Sequence, residues 1–223
     1  MQNDFYDETL LKNWSERAST QTPAPLSVRS RWYRKIIVEI LLRLSEQNGR
    51  ILSVGSGTGR TELCASTSGL DVIASDVSPS ALELCKQAGL TTIFFDVTDP
   101  SALQHEITII YIDGVLGHFY EGDPWLSIAE NLAQTNARYL LLSNDLSDTD
   151  VDAVYSVNGR PDAYFFRPPM GYFKAAFVQT DLWCPIWTHI LKYRRPGRGI
   201  RRRELIVLER SIGEQTDGRE RHS

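Results

Sequence analysis

Arg50-Ile-Leu-Ser-Val-Gly-Ser-Gly-Thr-Gly-Arg60 is the stretch whose reading decides the fold. An apolar strand-like run, Ile51–Val54, feeds directly into glycines at alternate positions, Gly55, Gly57 and Gly59. Asp71-Val-Ile-Ala-Ser-Asp76 follows at about the distance that a helical crossover needs, and it ends in an acid. Glycines so spaced let a backbone turn sharply, approach a ligand closely and aim the amides of the next helix at it. The stretch therefore predicts a site for a nucleotide-like cofactor.

Outward from that loop, the chain alternates. A helix is expected over 27–47, where Trp32, Ile36, Ile37, Ile40, Leu41 and Leu44 repeat at three and four, with Ser27 or Ser30 as N-cap and Asn48-Gly49 as the stop. After strand Ile51–Val54 come a helix near 60–66, a strand over Val72–Ser75, and a helix over Ala81–Ala88 opened by Ser78-Pro79-Ser80 and closed by Gly89. Strand Thr91–Phe95, a short helix near 99–104, strand Ile107–Ile112, helix Pro124–Asn136 and strand Arg138–Ser143 complete the pattern. Such βα alternation predicts a parallel sheet covered by helices on both faces. The last third departs from it. Two aromatic segments flank Asn158-Gly159, a hairpin signal, a helix is expected over 171–180, and Ile186–Tyr193 with Arg203–Leu208 read as an antiparallel pair. Residues 4–20 suggest a further short helix, and 213–223 a polar tail.

Composition narrows the function classes. With 223 residues, 42% hydrophobic and 23% charged, the chain suits one soluble domain with elaborations. No apolar run approaches the roughly 20 residues that span a bilayer, and the acidic start lacks a secretion-signal layout, so a cytoplasmic location is expected. The three cysteines, Cys64, Cys85 and Cys184, are scattered and without a His/Cys grouping, which argues for reduced thiols and against a metal site. A net charge of −4 does not favour nucleic acid. The charge is uneven: acids crowd 144–152 and arginines crowd 194–203.

A nicotinamide or flavin loop needs glycine at its first, third and sixth positions, and the sixth position from Gly55 is Arg60. A phosphate-binding P-loop needs Lys then Ser/Thr, which Arg60-Thr61 does not supply at the right spacing. Alternate glycines in Val54-Gly-Ser-Gly-Thr-Gly59, with strand-end acids Asp76 and Asp96, resemble instead the Rossmann-like, class I S-adenosylmethionine-dependent methyltransferases. The resemblance covers about 30–145 in motif order, and the closing antiparallel pair extends it to about 210. It implies an α/β fold: a doubly wound, mostly parallel seven-stranded sheet with a terminal antiparallel hairpin. The expected parts are a helical cap over 1–47, a cofactor-binding core over 48–145, a substrate-side insertion over 146–185 and the hairpin over 186–210, all in one domain.

The resemblance also implies roles. Gly55, Ser56, Gly57 and Gly59 would wrap the methionine portion of S-adenosylmethionine. Asp76, with Val77 beside it, would meet the ribose hydroxyls. Asp96 would meet the adenine amino group, with Phe95 or Val97 against the ring. The plainer alternatives are a turn or N-cap acid for Asp76 and a loop cap for Asp96. One departure stands out: the family usually has an acid two residues before the first glycine, and here Ser53 occupies that place. Asp113, at the end of the fourth strand, is the candidate to supply the missing charge near the cofactor's ammonium.

Methyl transfer from a sulfonium is an in-line displacement that chiefly needs alignment and exclusion of water. His118, matching a histidine that the family often has after the fourth strand, is the candidate catalytic base, with structural packing as its alternative. Tyr120, Trp14, Tyr164, Phe166 and Arg167 are candidate acceptor contacts, and a satellite core is the plainer reading of the aromatics among them. Arginines 194, 195, 198, 201, 202 and 203 would favour an anionic acceptor if they faced the site, the alternative being a solvated tip balanced by the acids of 144–152. The expected activity is methylation of an oxygen or nitrogen of a small molecule, a specialised metabolite by preference. The rivals are a macromolecular acceptor (tRNA, a peptide or a carrier-bound intermediate) and a non-catalytic cofactor-binding subunit. The sequence does not speak to oligomeric state.

Overall fold

The structure is a computed structural model that describes residues 24–45, 49–99, 103, 106–119, 124–149, 151, 153–157, 160–196 and 199–211. Its first parallel strands are β1 (Arg50–Val54), β2 (Asp71–Asp76), β3 (Thr91–Phe94), β4 (Ile109–Asp113) and β5 (Tyr139–Asp145). Two hairpins follow: β6 (Ala153–Val157) with β7 (Arg160–Arg167), and β8 (Trp183–Arg195) with β9 (Gly199–Arg210). Seven strands form one sheet in the order β3-β2-β1-β4-β5-β9-β8, while β6 and β7 pair apart from it. Strands β1 to β5 run parallel; β9 lies antiparallel to β5 and to β8. This is the seven-stranded, mostly parallel sheet with a terminal antiparallel hairpin that the sequence predicts.

Period-two alternation sends neighbouring residues of one strand into different cores. Leu52, Val54, Ile110, Ile112, Leu140, Leu142, Ile206 and Leu208 belong to one cluster, packed beneath helices α5 (Trp125–Ala133) and α6 (Tyr172–Val178). Ile51, Ile109, Tyr111, Leu141, Leu205 and Val207 belong to a second, covered by α2 (Arg31–Leu44), with Tyr33, Ile37, Val38 and Leu41 facing in. Both faces of the central strands are thereby removed from water, which is why their sequences read as near-continuous apolar runs.

The N-terminal helix differs from its expected course. Instead of one helix over 27–47, a single turn α1 (Leu26–Arg29) is followed by a break at extended Ser30, and α2 ends at Leu44. The Tyr33 amide donates to Ser30 Oγ at 3.2 Å, so Ser30 rather than Ser27 caps α2. Helix α3 (Arg60–Thr67) follows the glycine loop, and α4 (Pro79–Gln87) starts with Ser78 as N-cap and proline in its first turn, as predicted. The expected helices over 4–20 and near 99–104 fall largely or wholly outside the described residues, as does the 213–223 tail. Strand β4 begins at Ile109, two residues later than expected, and the Thr108 carbonyl just before it accepts from the amides of Arg138 and Tyr139 at the start of β5.

Candidate functional site

In this strand order the chain reverses direction of winding between β1 and β4, and open α/β sheets place ligands in the crevice at that switch point. A cleft lies there, lined by Ser53 and Val54 of β1, the loop residues Gly55, Ser56 and Thr58, Arg60, Thr61 and Glu62 of α3, Tyr111 and Asp113 of β4, and Ser27 and Val28 of α1. The loop holds its shape through backbone that other residues reject. Gly59 sits at φ +65°, and a Cβ there would stand 2.8 Å from Cys85 Sγ on α4. Gly55 has φ +70° and packs against the side chain of Val115, so β4 and the loop approach each other across the mouth of the cleft.

Asp76 fastens this loop to β2. Its Oδ2 accepts from the Gly57 amide at 2.9 Å and its Oδ1 from the Ser78 amide at 3.0 Å, with the residue 5% exposed. The turn-cap alternative is thus realised. Val77 is half-buried beside Asp76. Asp96 also caps: its Oδ1 accepts from the Thr98 amide at 2.8 Å and from Thr98 Oγ1 at 2.7 Å. Phe95 and Val97 are buried in the core shared with α5.

At the place of the missing strand acid, Ser53 meets a carboxyl from another element. Ser53 Oγ donates to Glu62 Oε1 at 2.6 Å, and Glu62 is 4% exposed. Burial raises the Glu62 pKa to about 7 against the opposing Ser53 and backbone hydrogen bonds, and the charges of Asp113 and Asp76 push it the same way. Asp113, the expected compensating carboxylate, is otherwise engaged. Arg203 Nη1 donates to its Oδ1 at 2.8 Å and Tyr111 Oη to its Oδ2 at 3.1 Å. The sequence reading missed Glu62 because α3 is inverted relative to hydropathy: Thr61, Glu62 and Ala65 face inward while Leu63 is exposed.

Behind Asp113 lies a buried polar network. Arg203 Nε donates to Asp145 Oδ1 at 2.9 Å, Tyr193 Oη donates to the same oxygen at 2.8 Å, and Tyr33 Oη pairs with Ser143 Oγ at 2.5 Å. Although burial pulls the Arg203 pKa down, Asp113 and Asp145 hold it well above the ordinary arginine value. Burial likewise opposes ionisation of Asp145, and Arg203 with the Tyr193 hydrogen bond lowers its pKa nonetheless. The arginine cluster is thus largely turned to internal use. Arg195 and Arg203 pair with Asp145, Arg201 with Asp148, and Arg202 Nη2 donates to the Ser147 carbonyl. The balance against the acids of 144–152 is present, but as a partly buried network rather than a solvated tip.

His118 ends the 3-10 turn Leu116–His118 after β4, edge-on to Phe165 of β7 with ring centroids 5.0 Å apart. Its ring keeps part of its surface open, yet burial lowers its pKa to about 4, so the imidazole is neutral at ordinary pH. The β6–β7 insertion rests on this turn: a Cβ on Gly117 would stand 2.6 Å from the Phe165 ring and 2.7 Å from the Phe166 carbonyl. Of the expected acceptor contacts, Phe166 requires correction. It is wholly buried, stacked on Trp125 at 5.8 Å and edge-on to Tyr172 and Phe173, so its area goes to the core. Arg167 is 5% exposed with its guanidinium 6.0 Å from the Phe165 ring. Trp14, Tyr120 and the Tyr164 side chain lie outside the described residues.

Sheet order, glycine cradle and switch-point cleft together give the fold of the class I, Rossmann-like S-adenosylmethionine-dependent methyltransferases. Magnesium protoporphyrin IX methyltransferase from Synechocystis PCC 6803, with bound S-adenosylhomocysteine, superposes with a TM-score of 0.68 at 14% identity, over 94% of this chain and 98% of that one. The Burkholderia thailandensis 1,6-didemethyltoxoflavin-N1-methyltransferase, with its acceptor and S-adenosylhomocysteine bound, gives 0.65 at 14% identity over 93% and 88%. A protein that converts a disulfide bond into a thioacetal group during echinomycin biosynthesis gives 0.66 at 16% over 96% and 95%. Among curated proteins, the tabtoxin biosynthesis enzyme of Pseudomonas amygdali pv. tabaci is 27% identical over 208 residues, 90% of this chain and 81% of its own length. No protein-family model matches the chain. No helix among the described residues is long and apolar enough to cross a membrane.

Proposed function

We propose that the chain is a methyltransferase that binds S-adenosylmethionine and methylates an oxygen or nitrogen of a small molecule, a specialised metabolite by preference. The observation that carries this reading is the cleft at the β1/β4 switch point, cradled by Gly55–Gly59 and braced by the Asp76–Gly57 hydrogen bond. When bound, the cofactor supplies an electrophilic methyl group on a sulfonium. This chain's residues hold the methionine end in the cleft, bring the Asp76 carboxylate at the end of β2 to the ribose, and close the acceptor side with the β6–β7 insertion over His118. His118, neutral at ordinary pH, is our candidate to take a proton from the acceptor. The relatives named for tabtoxin, toxoflavin and echinomycin chemistry support a small-molecule acceptor. Of the arginines that the sequence suggested for an anionic acceptor, Arg195, Arg201 and Arg203 are paired with Asp113, Asp145 and Asp148.

Titration calorimetry tests the reading. Wild-type protein is expected to bind S-adenosylhomocysteine, and Gly57→Leu, at φ +54°, to lose about 10²-fold or more in affinity because the backbone of the cradle no longer fits. Wild-type protein that binds neither S-adenosylmethionine nor S-adenosylhomocysteine sinks the proposal.

A further inference from the structure

A buried carboxylate without a counter-charge is unusual, because taking a charge out of water without a partner is strongly unfavourable. Glu62 is such a group. It lines the cleft, it is 4% exposed, and among the described residues no arginine, lysine or histidine pairs with it. Its side-chain donor is Ser53 Oγ on Oε1, with a backbone hydrogen bond beside it, and neither supplies a counter-charge. Next to it Thr61, 3% exposed and also lining the cleft, keeps a buried hydroxyl with no hydrogen-bond partner. A buried carboxyl that lacks a cation and a buried hydroxyl that lacks a partner thus line one cleft side by side.

We infer that Glu62, oriented by Ser53, is the receptor for the cationic α-ammonium group of the bound cofactor, with Thr61 Oγ1 as a second polar contact at the same end. The inference rests on the S-adenosylmethionine reading above. It places the acid for this group on the first turn of α3 instead of on β1, with Ser53 keeping the strand position as a hydrogen-bond donor. The pair Ser53–Glu62 does from two elements what one strand carboxylate would do from one. Asp113 is the poorer receptor for a cation, since the Arg203 guanidinium already supplies its counter-charge, with Nη1 on its Oδ1 at 2.8 Å.

The charges around Glu62 set how it responds to pH. Asp76 at the end of β2, Asp113 at the end of β4, Tyr111 on β4 and Cys85 on α4 interact with it electrostatically, while Arg60 lines the cleft from its own helix with Nη1 on the Val28 carbonyl. The neighbours that titrate are all acidic, so they favour the protonated form until a cation arrives. Binding an ammonium there expels a proton below about pH 7 and expels none well above it. The sign for stability is also fixed. A carboxyl whose folded pKa exceeds its unfolded value destabilises the free protein as pH rises through that range, so removing its charge stabilises the free protein at about pH 8.

The test compares wild type with Glu62→Gln by calorimetry, using S-adenosylhomocysteine and methylthioadenosine, which keeps the adenosine and sulfur but lacks the amino-acid end. Glu62→Gln is expected to weaken S-adenosylhomocysteine about 10- to 100-fold while leaving methylthioadenosine within about threefold. The free variant is expected to melt higher than wild type at about pH 8. Wild-type titrations at about pH 6 in buffers of different ionisation enthalpy should show proton release with S-adenosylhomocysteine and none with methylthioadenosine. Equal loss of both ligands, or unchanged S-adenosylhomocysteine affinity, overturns the assignment of Glu62 while leaving the cofactor reading standing. Absence of proton release does the same without needing a folded variant. Wild-type protein that binds neither compound overturns both.

Discussion

His118 shows how far a single residue's chemistry can be taken from its surroundings. A histidine held at a pKa of about 4 by burial is protonated only below that value, so it is a competent proton acceptor throughout the neutral range but a weak one. If it removes the acceptor's proton, kcat should be flat from about pH 5.5 upward on its account and fall as pH approaches 4. His118→Ala should then lower kcat by about 10²-fold or more and change S-adenosylhomocysteine affinity little, read by steady-state kinetics beside calorimetry. Unchanged turnover would assign the whole rate to proximity and alignment. His118 was singled out through the family resemblance, and its place was legible because it lies a short way past the end of an apolar strand, which fixes where the next few residues emerge. Glu62 was not legible. Its neighbour Leu63 is the residue that hydropathy would turn inward, and the opposite happens because the inward side of this first turn borders a polar cleft.

At the scale of elements, what the sequence disclosed best were the strands that tertiary packing needs most. Strands β1, β2, β4, β5 and β9 carry apolar residues to both faces, and no other assignment would bury them. Helix ends were less readable. The break between α1 and α2 comes from Ser30 taking an extended conformation to cap Tyr33, and both Ser27 and Ser30 offered the same chemistry in the sequence. The glycine loop is an element in its own right, and its last member has the least freedom to change. Gly59→Ala would place a methyl group 2.8 Å from Cys85 Sγ and 3.1 Å from Leu90 Cδ1, at a φ that costs an L-residue about 1–2 kcal/mol. The expected outcome is a melting temperature lower by about 3–8 °C in calorimetry, together with weaker S-adenosylhomocysteine binding because α4 pushes the loop toward the cleft. By contrast Gly69 has open space around its missing Cβ, so only its φ of +90° resists substitution there.

For the molecule as a whole, Arg203 is the joint between sheet, cap and cleft. It lies on β9, pairs with Asp113 of β4 and Asp145 of β5, and stands 5.4 Å from the Tyr33 ring of α2. Arg203→Met would leave Asp113 without its cation and Asp145 with the more distant Arg195, a change that costs about 3–5 kcal/mol. In a protein of this size the melting temperature should fall by roughly 6–20 °C, and the loss should shrink at low pH, where Asp145, whose pKa Arg203 lowers, takes up its proton. The acids and arginines were visible in the sequence as opposing clusters, but linear proximity cannot distinguish a wet hairpin tip from a buried network. The antiparallel register of β5 against β9, with Asp145 opposite Arg203, decides it. That arrangement has a consequence during synthesis. Arg203 follows Asp113 by 90 residues and Asp145 by 58, so a growing chain carries both acids for several seconds before their counter-charge leaves the ribosome. Since β9 must slot in beside β5 with β8 on its outer side, the rim of the cleft at Asp113 takes its final form only when almost the last described residues have been made. A nascent chain halted before that strand would display the glycine loop without the charge balance behind it, so ligand capture would report that β9 has docked.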